Sequence, residues 1–116
     1  MRVTVNNDCE YEWGVHVSIF GKAAGFTENQ IVDICQPKTD PDVWSSSESV
    51  IINTVDQLCF SGKLDDNIQI EFQRCCTVEK QLEIFALCGT YLTVSYVANV
   101  AGLSLEPFSV QFPNRR

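Results

Sequence analysis

Residues 68–88 read IQIEFQRCCTVEKQLEIFALC, and the period of their apolar positions decides the expected fold. Ile68, Ile70 and Phe72 alternate with Gln69, Glu71 and Gln73. A two-residue period is that of a strand with one buried and one solvated face. LEIFAL continues in the same style after a short break. On an unbroken strand Cys76 shares the inward parity of Ile70 and Phe72, and Cys75 points outward.

The same alternation recurs outward from this stretch. RVTVN puts Val3 and Val5 on one face, and WGVHVSI puts Trp13, Val15, Val17 and Ile19 opposite Gly14, His16 and Ser18. YLTVSYVANV aligns Leu92, Val94, Tyr96, Ala98 and Val100, and FSVQF aligns Phe108, Val110 and Phe112. QIVDIC and SESVIINTV add short runs rich in β-branched residues, and FGKAAGF, QPKTDPD and SGKLDDN punctuate the runs with turn residues. The pattern predicts an all-β chain, an antiparallel β-sandwich of about eight strands, with a jelly roll or closed barrel as alternatives. A short helical turn in TENQIVDIC, capped by Thr27 and carrying Ile31, Ile34 and Cys35, is the exception the spacing admits.

The chain has 116 residues, 45% hydrophobic and 20% charged, which fits one folded domain, residues 1–116. Its net charge is −7, and its eight Lys and Arg are scattered. Nucleic-acid binding needs a cationic patch to displace counterions, so that class is excluded. The apolar run IFALC is too short for a bilayer, so no membrane insertion is expected.

Cys9, Cys35, Cys59, Cys75, Cys76 and Cys88 make an even set without a C-x-x-C pair, which argues against zinc and thioredoxin-like chemistry. They predict a disulfide framework of open pairing, an oxidising compartment and hence a secreted protein. The opening MRVTVNND has no apolar core of leader length, so secretion would imply a leader absent from this chain. Residues 3–11, VTVNNDCEY, resemble the opening strand of thaumatin-like proteins. The length and cysteine number do not follow that family, and no residue role is carried over.

His16 is the only histidine and falls on the polar face of its expected strand, as a surface residue. No nucleophile signature accompanies it. The acidic residues Asp8, Glu10 and Glu12 read as a solvated face. Asp40, Asp42, Asp65 and Asp66 are weak calcium candidates should their loops meet. Trp44, Tyr11 and Phe26 are the candidate binding aromatics, lying in or beside polar segments. No catalytic residue, metal or cofactor is assigned. The expected function is non-enzymatic recognition of a protein, less favourably a glycan, through loops or a sheet face, as an effector, toxin or immune modulator. A carrier with an apolar cavity for a small ligand or lipid, and a structural assembly protein, are the alternatives.

Overall fold

A computed structural model describes residues 1–114, and it is helical. The chain is 64% helix, with no strand, sheet or barrel among the described residues. The all-β sandwich, and the jelly roll and barrel with it, are therefore overturned. The described residues form six α-helices, α1 (Arg2–Asn6), α2 (Glu10–His16), α3 (Glu28–Asp33), α4 (Ser46–Ser61), α5 (Asp66–Cys75) and α6 (Val78–Ala101). A π-helical turn, Val17–Gly21, continues α2.

The ends of the helices show why these segments coil. Thr27 and Ser45 each accept a hydrogen bond from the backbone N–H three residues on, while Gln30 and Glu48 reach back to the cap nitrogen. These reciprocal capping boxes satisfy donors that a helix start otherwise leaves unpaired. Asp65 and Thr77 cap α5 and α6 in the simpler one-way fashion. Gly62 (φ 69°) and Gly102 (φ 63°) end α4 and α6 in the left-handed conformation that glycine adopts without strain.

Within those bounds the two-residue alternation does not match burial. In α5 Phe72 is buried, whereas Ile70 is 46% exposed. In α6 the covered side carries Ile84, Cys88, Tyr91, Ser95 and Ala98, at helical rather than strand spacing.

Two cores result. The larger joins Val5, Trp13, Ile34, Cys35, Trp44 and Ile52, drawing on α1, α2, α4 and the segments flanking α3. The smaller joins Phe72, Cys76 and Ile84 under the α5–α6 corner. Arg2 ties α1 to the rest. Its guanidinium donates to both Asp56 carboxylate oxygens, at 2.6 and 2.9 Å, and to the carbonyls of Ile34, Gln36 and Pro37. A buried cation is tolerated because nearly every donor has an acceptor. Residues 103–114 lie as a strap over α2. Val110 N donates to Ser18 Oγ (3.0 Å), Phe112 N donates to Glu10 Oε1 (2.8 Å), and the Phe112 ring sits 5.1 Å from Trp13. Gly14 makes room for this strap, because a Cβ there would lie 2.5 Å from the Val110 carbonyl oxygen.

No two of the six cysteines stand at disulfide distance, so the expected disulfide framework is overturned as well. Secretion loses the argument that supported it. Cys9 and Cys35 are buried, Cys35 in the larger core, Cys59 and Cys88 are half-buried, and Cys75 is exposed while Cys76 is buried. Cys75 ends α5 and Cys76 is the extended residue after it, with their sulfurs 3.4 Å apart.

Candidate functional site

Glu12 and His16 are four residues apart on α2 and so share one face. The Glu12 Oε1 lies 2.8 Å from His16 Nδ1, in a direction not aligned for a hydrogen bond. On the other side of the ring, His16 Nε2 is 2.8 Å from the Tyr91 hydroxyl, delivered by α6 from 75 residues away in sequence. A carboxylate can only accept, so it favours the proton on Nδ1, leaving Nε2 to accept from Tyr91. The Tyr91 ring meets the imidazole edge-on at 5.0 Å, and the ring of Phe20, carried by the π-helical turn, lies tilted to it at 5.4 Å. Glu12, His16 and Tyr91 thus form a carboxylate–imidazole–phenol chain. The side chains of His16 and Glu12 are only 25% and 16% exposed.

Tyr91 also belongs to the wall of a cavity of about 340 Å³ between α1, α4 and α6. The walls are mostly apolar, with Trp44, Phe26, Ile51, Ile52, Ile84 and Leu87 contributing. Arg2 and Glu48 also line it. Arg2 is committed to Asp56 and the backbone carbonyls, so it offers a ligand little unspent charge. Met1 reaches the cavity, and burial lowers the pKa of its amino group, an effect that Cys88, Glu12 and Cys35 partly offset. Burial pushes the Cys88 thiol up, with the neighbouring Cys59 adding to the shift and the Met1 amino group opposing it.

The residues singled out in the sequence divide between this site and other places. Trp44 and Phe26 meet at its wall, with ring centroids 6.2 Å apart. Trp44 is buried and its indole N–H donates to Asp33 Oδ2 at 2.7 Å, so it is a wall residue and not an exposed platform. Tyr11 is elsewhere, donating to Glu106 Oε1 in the strap, a bond that holds its phenol pKa up. Asp40 accepts from the backbone N–H of Asp42 in a local turn. Asp65 caps α5 by accepting from Ile68 N, and that bond, helped by Gln57, lowers its pKa. Asp66 occupies the first turn of α5. Among the described residues no cluster of three or more His, Cys, Asp or Glu side chains could hold a metal ion.

The sequence reading missed Glu12, His16 and Tyr91 as a group. As a strand, WGVHVSI puts His16 on the solvent side. As a helix, residues 12 and 16 stack on one face, and that E-x-x-x-H spacing was the available signal. Tyr91 has no local signal, because α6 brings it in through tertiary packing. Comparison with protein-family models, curated proteins and solved structures gives no match to this chain.

Proposed function

We propose that the chain binds a small, largely apolar organic molecule between α1, α4 and α6 and exchanges a proton with it through Tyr91, His16 and Glu12. The observation that carries this reading is the double role of Tyr91. Its ring lines the cavity, and its hydroxyl is hydrogen-bonded to the only histidine of the chain. A cavity of about 340 Å³ falls within the range of ligand sites, roughly 300–1,000 Å³, and suits a two-ring aromatic or a medium acyl group. Its walls favour an uncharged ligand body, since desolvated charge would meet little compensation. In this reading Tyr91 is the group that meets the ligand. His16 takes or returns the phenolic proton, and Glu12 holds the imidazole and balances the charge it gains, the usual division of labour in general acid–base sites. The reading departs from the non-enzymatic expectation and develops the alternative of a carrier with an apolar cavity.

Binding of the neutral fluorophore N-phenyl-1-naphthylamine, followed by its emission, tests the site. The wild-type chain should bind it. Leu87→Trp, which fills the cavity from a half-exposed position, should abolish the signal while circular dichroism shows the helices intact. Equal binding by the wild-type and filled chains would remove the cavity from the proposal.

Recognition of a protein keeps support from one separate observation. The outward side of α6 leaves Leu82, Tyr96, Val97 and Val100 more than half exposed.

A further inference from the structure

Helix α6 is the longest element, and its outer side is exposed, with no packing partner among the described residues. Between Glu83 and Gly102 it carries no Asp, Glu, Lys, Arg or His. By length and composition it could cross a bilayer, and only 17% of its apolar window is buried. Its inner side is nonetheless packed, with Ile84, Ser95 and Ala98 buried against the body. The outer side carries Leu82, Ala86, Gly89, Thr93, Tyr96 and Val100, at alternating intervals of four and three residues. That spacing is the seam of a helix that pairs with another helix. All six residues are exposed.

We propose that this seam pairs with the same seam of a second copy, antiparallel, about a two-fold axis passing near residue 91. The sizes along the row argue for this occupant and direction. In that register Leu82 meets the partner's Val100, Ala86 meets the partner's Tyr96, and Gly89 meets the partner's Thr93. Ala86 against Tyr96 and Gly89 against Thr93 set a smaller residue against a larger one on either side of the centre, and Leu82 and Val100 close the two ends, so one surface complements itself, as an isologous interface requires. A parallel pair would set Tyr96 on Tyr96 and Gly89 on Gly89, leaving a clash and a hole.

Chemistry and charge agree with the shape. The Thr93 hydroxyl already donates to the Gly89 carbonyl at 3.0 Å, and the Thr90 hydroxyl donates to the Ala86 carbonyl at 2.8 Å. Burying these threonines therefore strands no hydroxyl donor. The charged residues Glu79, Lys80 and Glu83 sit in the first turns of α6. Antiparallel pairing sends the two sets to opposite ends, and the two helix dipoles run opposed. The row spans about 27 Å along the helix at 1.5 Å per residue. Val78, Phe85 and Val97, each at least 40% exposed, widen it toward the roughly 800 Å² per partner of a standard interface.

Sedimentation equilibrium with Gly89→Trp tests the pairing. A Cβ at Gly89 meets nothing within 4 Å, so the variant should leave the single chain folded, and circular dichroism checks that it does. The wild-type chain should be a dimer at about 100 μM, since interfaces of standard size bind in the micromolar range or tighter. Filling the centre of the seam should raise the dissociation constant about 100-fold or more. Direction is read by mild oxidation on a Cys75→Ser background. An Ala86→Cys chain mixed with a Tyr96→Cys chain should crosslink far more than either alone. A monomeric wild type, an unchanged dissociation constant in Gly89→Trp, preferential crosslinking of each chain to itself, or flotation of the wild type with phosphatidylcholine vesicles would each overturn the proposal.

Discussion

Tyr91 satisfies two demands with one side chain, an apolar ring for a cavity wall and a hydroxyl for His16. Few residue types can do both, and leucine or histidine in its place would lose one side of the arrangement. The cysteines present the opposite case, reactive groups held quiet by their surroundings. Burial raises the pKa of Cys59, partly opposed by a hydrogen bond from Asn6, and it raises that of Cys88. Cys75 is raised by desolvation and by its contact with Cys76. A raised thiol pKa means less thiolate near neutral pH, and the thiolate is the nucleophile. Alkylation of these three by iodoacetamide at pH 7 should therefore be slower than that of an unstructured thiol. It should accelerate as the pH climbs past the ordinary thiol range, as mass spectrometry of timed samples would show. The linked stability has the same sign. It is fully present below the pKa of the unfolded thiol and fades as the pH rises through the folded values. Rapid labelling of all three at pH 7 would contradict this.

At the scale of elements, the caps decide the secondary structure more firmly than the apolar period does. Ser45 and Glu48 stand just before the apolar run of α4, and each satisfies the other's backbone N–H. Ser45→Ala should cost about 1 kcal/mol of stability by chemical denaturation, the usual worth of such a cap. No change in midpoint would mean that tertiary packing alone holds the start of α4. This device was legible in the sequence, as S-x-x-E before an apolar run, and Gly62 and Gly102 mark the corresponding stops. What misled was the density of β-branched residues in SESVIINTV and the regular alternation of IQIEFQ. Over six residues a period of two and a period of 3.6 overlap, and α5 is exposed enough to keep Ile70 on its surface. Thr27 was readable as a cap because its segment mixes polar and apolar residues at helical spacing. The inward Cys76 and outward Cys75 expected from strand parity do occur, but the end of α5 produces them.

At the scale of the molecule, the cavity exists because a short helix, α1, is anchored where α4 and α6 part. Arg2 does the anchoring, binding Asp56 of α4 and the carbonyls after α3 with one guanidinium. None of this was visible from the sequence, where Arg2 is one of eight scattered basic residues. Long-range partners separated by 54 or 75 residues leave no periodic trace. From sequence, Trp44 and Phe26 read as binding aromatics because of their polar neighbourhoods. The fold instead gathers them into an apolar wall. His16 supplies the most direct test of the proposed site, because the chain's only histidine gives a single set of imidazole resonances. Nitrogen-15 spectra of the ring, recorded as N-phenyl-1-naphthylamine is added, report on both the cavity and the proton chain. The proposal predicts that the fluorophore shifts Nε2 in the wild-type chain. It also predicts that Tyr91→Phe still binds the fluorophore but loses most of that shift. Saturable binding that leaves the His16 resonances of the wild-type chain unmoved would contradict it.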